Sequence, residues 1–417
     1  MDLLPYMEQW HMLPKRGGVV LCAVSGGRDS VCLLDYLCTV APRYGFTVAA
    51  AHLNHLMRPT AQRDVTFLRK LCRELDVPLY VEERDVRALA KEKGIGEEEA
   101  GRQARYDFLE RTAAAIGAEK IATAHHRRDQ AETVLLNLLR GTGPEGLGGI
   151  PPVRGEYIRP LLNTRREDIE AYLREKGLSH IEDETNESRS YARNRLRLDI
   201  WPQLEGLHDG ITDNIARTAL LVRRENEYLD ELAAAYLPGE GTAIPCEKLL
   251  QAPAVLQNRI LRQLMARLPV GKKDVTMVHV EAVASLAKGK GTLALPAGMT
   301  AACDGKELQF FTETRPPEER VLHSGKNRWG GFCITVDGDD EGLTVRPWRS
   351  EDRMTLPGSR GARSLKRLFT ERGILPPERE KIPVVCFQGQ VCAAYGVGTA
   401  DNFEKRIEIR QIETEKA

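Results

Sequence analysis

The sequence predicts the α/β fold class, with an N-terminal parallel sheet covered by helices, a central helical domain and a small C-terminal α+β domain. Three features of its 417 residues support this prediction. In the N-terminal half, short apolar runs lack the polar alternation of half-exposed strands, and stretches with helical spacing separate them. Residues 321–417 instead show a series of short strand patterns with one helix.

The first predicted strand, residues 19–24, is followed by the loop SGGRDS, residues 25–30, and then by a helix pattern. Gly26 and Gly27 let the backbone approach a ligand closely and can adopt positive φ. The start of the helix leaves unpaired N–H groups at the positive end of its dipole, which is an anion site. Asp29 adds a carboxylate suited to Mg²⁺ or a ligand cation. The Walker pattern GxxxxGK[ST] is absent, so this would be a different kind of phosphate loop.

Two later strand patterns also end in polar segments. Residues 46–51 lead into a segment that contains His52 and His55, and residues 120–124 lead into one that contains His125 and His126. Strands that alternate with helices form parallel sheets whose ligands bind beyond the carboxyl ends, so the segments that follow strands can share one crevice. The four histidines could hold zinc if the segments met. Nucleotide and hard-metal chemistry does not require histidine, so we do not predict a zinc site.

Asp129 and Glu132 lie three residues apart beside the apolar stripe of a predicted helix. Two carboxylates on one face at the exit of a strand can hold a cation. Ordinary helix capping by Asp129 and the preference for acids in a first turn explain the same pattern, and spacing alone favours that explanation.

Arg102 and Arg105 are also three residues apart, on a helix that begins with Glu97, Glu98 and Glu99. The glutamates are typical of a solvated first turn. The two arginines can either reach a phosphate or lie on a solvated face, and the sequence leaves both interpretations open.

Composition limits the remaining possibilities. The 60 basic and 60 acidic residues give no net charge, so a nucleic-acid surface would need local clustering. The nine cysteines include no CxxC pair, which argues against an iron–sulfur cluster, a zinc ribbon or a sulfur relay. No signal peptide and no membrane-length apolar run is visible, so we expect a cytoplasmic protein without a membrane partner.

The chain divides by pattern into three predicted domains: a catalytic domain over residues 1–205, a helical domain over residues 206–315 and a basic α+β domain over residues 321–417. A Pro-rich, charged stretch at residues 312–320 is typical of a linker. Residues 343–381 contain ten Lys and Arg against five acids. This local excess predicts affinity for a phosphate backbone, although a solvated basic face is the alternative.

Several motifs, taken in order, resemble the tRNA(Ile)-lysidine synthetase family of PP-loop ATP pyrophosphatases. In the first half these are the SGGRDS loop, HLNHLMR, GRQARYDFL and AHHRRDQAETVLLNLLRG, followed by IRPLL and the DETN to YARNRLR region. In the tail, Pro357-Gly358, Ser364-Leu365-Lys366 and Lys381-Ile382-Pro383-Val384 are in register with the family.

The resemblance implies an adenine nucleotide alpha hydrolase-like fold and a two-step ligation. The wobble cytidine of tRNA(Ile) with a CAU anticodon would be adenylated with ATP and Mg²⁺. Free L-lysine would then displace AMP at C2 to give lysidine, which changes the codon read from AUG to AUA. A homodimer is compatible with the sequence.

The resemblance also implies roles for individual residues. The ATP-binding residues would be Ser25, Gly26, Gly27, Arg28, Asp29 and Ser30, with Asp29 on the metal. The catalytic residues would be Asp29, Arg105, Asp129 and Glu132, of which Asp129 and Glu132 would hold the lysine. The tRNA-binding residues would be Arg193, Arg197, Arg353, Lys366 and Arg367. Two departures from the family pattern are Arg128, where an acid or amide is usual, and residues 350–354, which keep only the Asp-Arg of a tail motif.

Three alternatives remain. A tRNA thiolase would activate the same oxygen but generally needs thiols, and CxxC is missing. An amidotransferase would need an ammonia source, and residue 2 is Asp rather than a nucleophilic Cys. A non-catalytic RNA-binding module would not need the intact SGGRDS loop.

Overall fold

The computed structural model describes residues 1–56, 61–181, 192–271, 274–312, 317–359, 361–374, 376–404 and 406–412. Parts of the predicted motifs lie outside these residues, namely Met57, Arg58, Pro59, residues 183–186, Tyr191, residues 313–316 and Arg360. The chain forms two compact units, Met1–Glu227 and Tyr228–Ala417. The predicted boundaries near residues 205 and 315 stay a prediction.

The first unit is built on a six-stranded sheet with strand order β3-β2-β1-β4-β6-β5. Neighbouring strands are parallel except at the β5 edge. The strands are β1 Val19–Ala23, β2 Thr47–Asn54, β3 Leu79–Glu83, β4 Ala118–Ala122, β5 Val153–Arg154 and β6 Tyr157–Ile158. The predicted parallel sheet is confirmed. Strand order reverses between β1 and β4, and a crevice opens beyond their carboxyl ends at such a reversal.

Helices cover both faces of this sheet. The helices of this unit are α1 Leu4–Gln9, α2 Arg28–Tyr44, α3 Ala61–Glu74, α4 Val86–Lys93, α5 Glu97–Ile116, α6 Arg127–Leu139, α7 Pro144–Leu147, α8 Arg166–Lys176, α9 Ala192–Arg195, a π-helical turn Leu196–Ile200, α10 Trp201–Leu207 and α11 Ile211–Ala234, within which the two units divide. Val20 of β1 packs in one apolar cluster with Leu34 of α2, whereas Leu21 packs in another with Phe108 of α5. Burial on both faces explains why β1 lacks polar alternation.

The second unit begins with a helical region that also contains a sheet. The helices are α12 Cys246–Gln251, α13 Ala254–Ala266 and α14 Met277–Leu286, as the helical prediction expected. An antiparallel sheet of order β7-β10-β9-β8 shares their core, with β7 Ala243–Pro245, β8 Gly291–Leu295, β9 Met299–Cys303 and β10 Glu307–Thr312. The helices of this region were predicted, but the sheet was not indicated by the sequence patterns. Alanine and glycine have low strand propensity, so β8 and β9 were hidden.

The remainder of the second unit has the predicted α+β character. Its strands are β11 Arg320–Val321, β12 Gly325–Trp329, β13 Phe332–Val336, β14 Leu343–Arg346, β15 Arg353–Met354, β16 Arg363–Ser364, β17 Val384–Phe387, β18 Gln390–Ala394, β19 Gly398–Thr399 and β20 Ile407–Gln411, with helices α15 Leu365–Glu371 and α16 Pro376–Arg379. They form a five-stranded, a three-stranded and a two-stranded sheet. In the described ranges, no helix combines the length and apolar composition that crossing a bilayer requires.

Candidate active site

The loop between β1 and α2 has the backbone geometry of an anion site. Gly26 adopts φ +87°, and a Cβ atom there would lie 3.0 Å from Cδ1 of Ile181. Gly27 has φ −71° and is the N-cap of α2, so only Gly26 uses the positive φ expected of both glycines. The free N–H groups at the start of this 17-residue helix provide donors and a positive dipole for a phosphate.

Hydroxyl groups fix the shape of this loop. The Ser30 hydroxyl donates to the carbonyl oxygen of Gly27 at 2.9 Å and accepts from the backbone N–H of Ser25 at 3.1 Å. The backbone N–H of Gly27 lies 3.3 Å from Oγ of Ser25, which accepts its hydrogen bond. Ser30 is buried, so its hydroxyl holds the loop closed around the anion position.

Asp29 has one carboxylate oxygen without a protein partner. Its Oδ1 is buried and accepts no hydrogen bond from the described residues, while Oδ2 lies 3.8 Å from Nε2 of His126. Burial, with the Asp129 charge, raises the pKa of Asp29. A buried, unpartnered carboxylate oxygen beside a phosphate loop fits a hard cation such as Mg²⁺.

Arg28 is directed to another element. Its guanidinium forms an ion pair with Glu170 of α8, which also accepts from Nε of Arg166 at 2.9 Å. In this conformation Arg28 therefore links α2 to α8.

The start of α6 meets the β1 loop at His126. His126 is the N-cap of α6: its Nδ1 accepts from the backbone N–H of Arg128 at 3.2 Å, and its own backbone N–H donates to Oδ2 of Asp129 at 3.0 Å. Nε2 of His126 lies 3.6 Å from Oδ2 of Asp129, close to the carboxylate of Asp29 as well. Asp129 is therefore a capping residue, as its spacing alone favoured, and it also lies next to the phosphate loop.

Two arginines form ion pairs with the carboxylates of Asp129 and Glu132. Arg197 lies 2.9 Å from each oxygen of Glu132, through Nε and Nη2. Arg193 contacts Oε2 of Glu132 at 3.1 Å through Nε and Oδ1 of Asp129 at 3.1 Å through Nη2. Glu132 is fully buried, whereas the Arg193 and Arg197 side chains are 35% and 30% exposed.

All four carboxylate oxygens of this pair are therefore engaged within the protein, since the second oxygen of Asp129 caps α6. Burial opposes ionisation of Asp129, but the His126 and Arg193 charges outweigh it and lower its pKa. The resemblance assigned the acids to lysine and the arginines to tRNA. The structure brings the two sets into contact.

Arg128 supports this cluster from a neighbouring position. Its guanidinium lies 5.3 Å from the ring centroid of Trp201, and its Nε is 3.4 Å from Oε1 of Glu132. Trp201 is fully buried and donates to Glu205 at 2.9 Å. The Arg128 side chain therefore packs on α10 and adds a third cation beside Glu132. The i,i+4 spacing of Arg128 and Glu132 is a local signal for their contact, whereas no local pattern indicated the packing of Arg128 on Trp201.

His125 lies among cations and is held neutral. Burial lowers its pKa to about 4, and the charges of Arg159, Arg105 and Arg193 contribute in the same direction. Its Nδ1 is 3.1 Å from Oγ1 of Thr123. Arg105, predicted to serve the active site, therefore lies within electrostatic range of the residues that follow β4. Arg159, which is buried, was not singled out from the sequence.

The second unit contains the other predicted tRNA-binding residues. Arg353, Lys366 and Arg367 are exposed, and Arg367 shares Glu371 with Arg363. The basic surface is smaller than the residue count suggested. Arg346 is buried in a two-bond pair with Asp352, at 2.9 and 2.7 Å, and Arg379 is buried with its guanidinium on the carbonyl oxygen of Ile374.

The sequence of this chain is similar to known proteins over most of its length. A family model described as a PP-loop domain matches residues 7–204, and one described as the TilS substrate C-terminal domain matches residues 343–412. The tRNA(Ile)-lysidine synthase of Clostridium acetobutylicum is 33% identical, over 97% of this chain and 96% of that protein. The enzyme of the same name from Symbiobacterium thermophilum is 40% identical, over 92% and 91%. Among solved structures, a U34-tRNA thiolase from Methanococcus maripaludis is similar at 18% identity and a TM-score of 0.44, over 53% of this chain and 79% of that one.

Proposed function

The chain belongs to the tRNA(Ile)-lysidine synthase family, and we propose that it joins free L-lysine to C2 of the wobble cytidine in a tRNA with a CAU anticodon. It is an ATP-dependent ligase that modifies tRNA. We propose the identity of the amino acid, the atom that is modified and the residues that bind the reactants.

The proposed chemistry has two steps. In the first, the cytidine O2 forms a bond to the α-phosphorus of ATP, and the bond to pyrophosphate breaks. In the second, the lysine ε-amine forms a bond to C2, the C2–O2 bond breaks with release of AMP, and the amine loses its proton. Adenylation is needed because the cytosine oxygen is a poor leaving group.

One observation supports this assignment above the others. The anion loop after β1 and the acids at the start of α6 meet at His126, beside the reversal of strand order. An adenylated base bound at the loop would therefore be close to the acids, which are suited to an ammonium group. Proximity of this kind accounts for much of the rate in a reaction between two bound reactants.

Asp29 would hold Mg²⁺ through its unpartnered oxygen. When bound, the ion would offset negative charge on the ATP phosphates. The loop N–H groups would bind those phosphates from the protein side, and the closed shape that Ser30 imposes keeps the donors in place.

Lysine binding requires an exchange of partners. Its ammonium group needs carboxylate oxygens that Arg193 and Arg197 occupy in this conformation. Both arginines are partly exposed and can turn toward an RNA phosphate. We therefore propose that tRNA binding moves both arginines away from Asp129 and Glu132, whose carboxylates can then bind lysine. The acids would thus bind the arginines before tRNA arrives and lysine afterwards.

The cysteines of the first unit do not favour sulfur transfer. Burial raises the pKa of Cys32 and of Cys38 to about 12 and that of Cys72 to about 11, and Cys22 is shifted in the same direction. Sulfur chemistry uses thiolates, which these surroundings disfavour.

The test is an incorporation assay with ATP, labelled lysine and unmodified tRNA with a CAU anticodon. Label in the RNA, with one AMP released per lysine joined, is the expected result. Label that requires a sulfur donor, or AMP release without lysine transfer, would contradict the proposal. The substrates occur together in the cytoplasm, where we place the reaction.

A further inference from the structure

Four arginines surround two tyrosines next to the proposed site. The guanidinium of Arg102 lies 5.4 Å from the ring centroid of Tyr106, and that of Arg154 lies 5.3 Å from the same ring. Arg154 is also 5.7 Å from the ring of Tyr157, which packs edge-on against Tyr106 at 4.9 Å. Arg159 shares a hydrogen bond with Tyr106, and Arg105 lies within electrostatic range of both rings, so these two arginines complete the group, which we call the arginine–tyrosine cluster.

The charges of this cluster are not neutralised within the protein. In the part of the chain that the structure describes, none of its four arginines forms an ion pair with a carboxylate. Arg111, on the same helix, shows the contrast, because it binds both oxygens of Glu82 at 3.1 and 2.9 Å. Arg159 is buried with Nε unpartnered, and burial followed by the Arg154 charge lowers its pKa. An acid beside the cluster, Glu110, accepts from the Tyr157 hydroxyl at 3.2 Å but forms no ion pair with these arginines among the described residues. Like charges held together without an acidic partner create a site for an anion.

The charges of the cluster act on the active site. Arg105 and Arg159 act electrostatically on His125, which lies between the end of β4 and the His126 cap. Arg102, Arg105 and Arg154 are exposed, whereas Arg159 is buried, and only Arg102 and Arg154 lie over the ring of Tyr106. A ligand that extends from the acid pair past His125 would therefore meet them.

We propose that Arg102 and Arg154, stacked on Tyr106, bind backbone phosphates of the RNA strand that bears the target cytidine. This inference rests on the proposed function and adds the RNA contact surface of the first unit. ATP phosphates have their own donors in the loop after β1, whereas this cluster is built from α5, β5 and β6. Guanidinium groups held on aromatic rings suit a phosphate backbone because they keep their charge and geometry without an acidic partner.

The test compares Arg102→Gln/Arg154→Gln with Arg43→Gln. Arg43 is a matched control, since it is exposed and lies 5.7 Å from the ring of Tyr44 in the last turn of α2, which leads into the amino end of β2 rather than the carboxyl ends of the strands. Binding of full-length unmodified tRNA with a CAU anticodon is measured over a range of salt, together with the KM values for ATP and lysine.

We expect the double variant to bind tRNA about 10-fold more weakly near physiological salt. Its slope of log affinity against log salt should be shallower by about 1.4, as expected for two lost contacts to single-stranded RNA. Arg102→Lys/Arg154→Lys should restore most of that slope, and Arg43→Gln should match the wild type.

Unchanged tRNA affinity and salt slope in the double variant would overturn the inference. A raised KM for ATP with normal tRNA binding would also overturn it, because the arginines would then serve the nucleotide. Failure of the proposed function would be distinguishable from failure of this inference. Wild-type protein that binds tRNA but transfers no lysine would refute the proposed function, whereas the binding comparison would still test the arginine–tyrosine cluster.

Discussion

Replacement of Arg197 by Gln should tighten lysine binding in the absence of tRNA. If Arg197 occupies Glu132 in competition with lysine, its removal takes away one contact of 2.9 Å from each carboxylate oxygen, although Arg193 still contacts Oε2. If Arg197 instead orients Glu132 for lysine, its removal weakens binding. The two roles therefore predict opposite signs.

The magnitude follows from the contact. A hydrogen bond to a charged group contributes about 1.5–3 kcal/mol. Because the Arg197 side chain is 30% exposed and is hydrated again when it leaves, we reduce the expected competition to about 1–2 kcal/mol. This corresponds to a lysine Kd lower by about 5- to 30-fold. Arg193 still contacts Glu132 in the variant, which limits the gain in lysine affinity.

Titration calorimetry with lysine, without tRNA, measures this effect. Arg195→Gln is the control, since Arg195 is an exposed arginine at the end of α9, two residues before Arg197. Wild-type protein should gain lysine affinity when tRNA is added, and by reciprocity lysine should strengthen tRNA binding by the same factor. A lysine Kd that is unchanged or higher in Arg197→Gln, with the thermal unfolding of the variant intact, would refute the exchange.

Three further predictions concern other parts of the chain. Asp29→Ala should reduce AMP formation by about 100-fold or more, whereas Glu132→Ala should chiefly raise the KM for lysine; equal loss of both activities in both variants would contradict these separate roles. The pKa of His125 is about 4 in the folded protein against an ordinary 6.5. Between pH 6.5 and pH 4 the folded protein therefore binds fewer protons than the unfolded chain, and its stability decreases as the pH falls. His125→Gln should remove about 1.5 kcal/mol of the loss in unfolding free energy between pH 6.5 and pH 5, and identical urea-denaturation profiles for the two proteins would show that His125 is not the group responsible. Arg353→Gln/Lys366→Gln should weaken tRNA binding and flatten its salt dependence while leaving the KM for ATP unchanged, and filter binding over a range of salt would detect either outcome.

The sequence by itself determined the features that depend on neighbouring residues. The apolar runs fixed the strands of the first sheet, because burial on both faces leaves no polar alternation. The sequence of residues 25–30 indicated the anion loop, because the glycines and the helix start that bind an anion lie within a few residues of one another. The spacing of Asp129 and Glu132 placed both acids on one face of α6. The short strand patterns after residue 321 likewise correspond to strands in the structure, among them β13 and β17.

Only the tertiary structure decided which charges meet. Arg193 contacts Glu132 across 61 residues of sequence, and Arg128 lies on the ring of Trp201 in α10. The burial of Arg346 against Asp352 removed a cation from the expected basic surface, and the sheet around β9 formed from residues with weak strand propensity. The physical reason is that the energy of an ion pair depends on distance and burial, which are set by how remote elements pack. A charge pattern in the sequence gives the sign of each residue but not its partner.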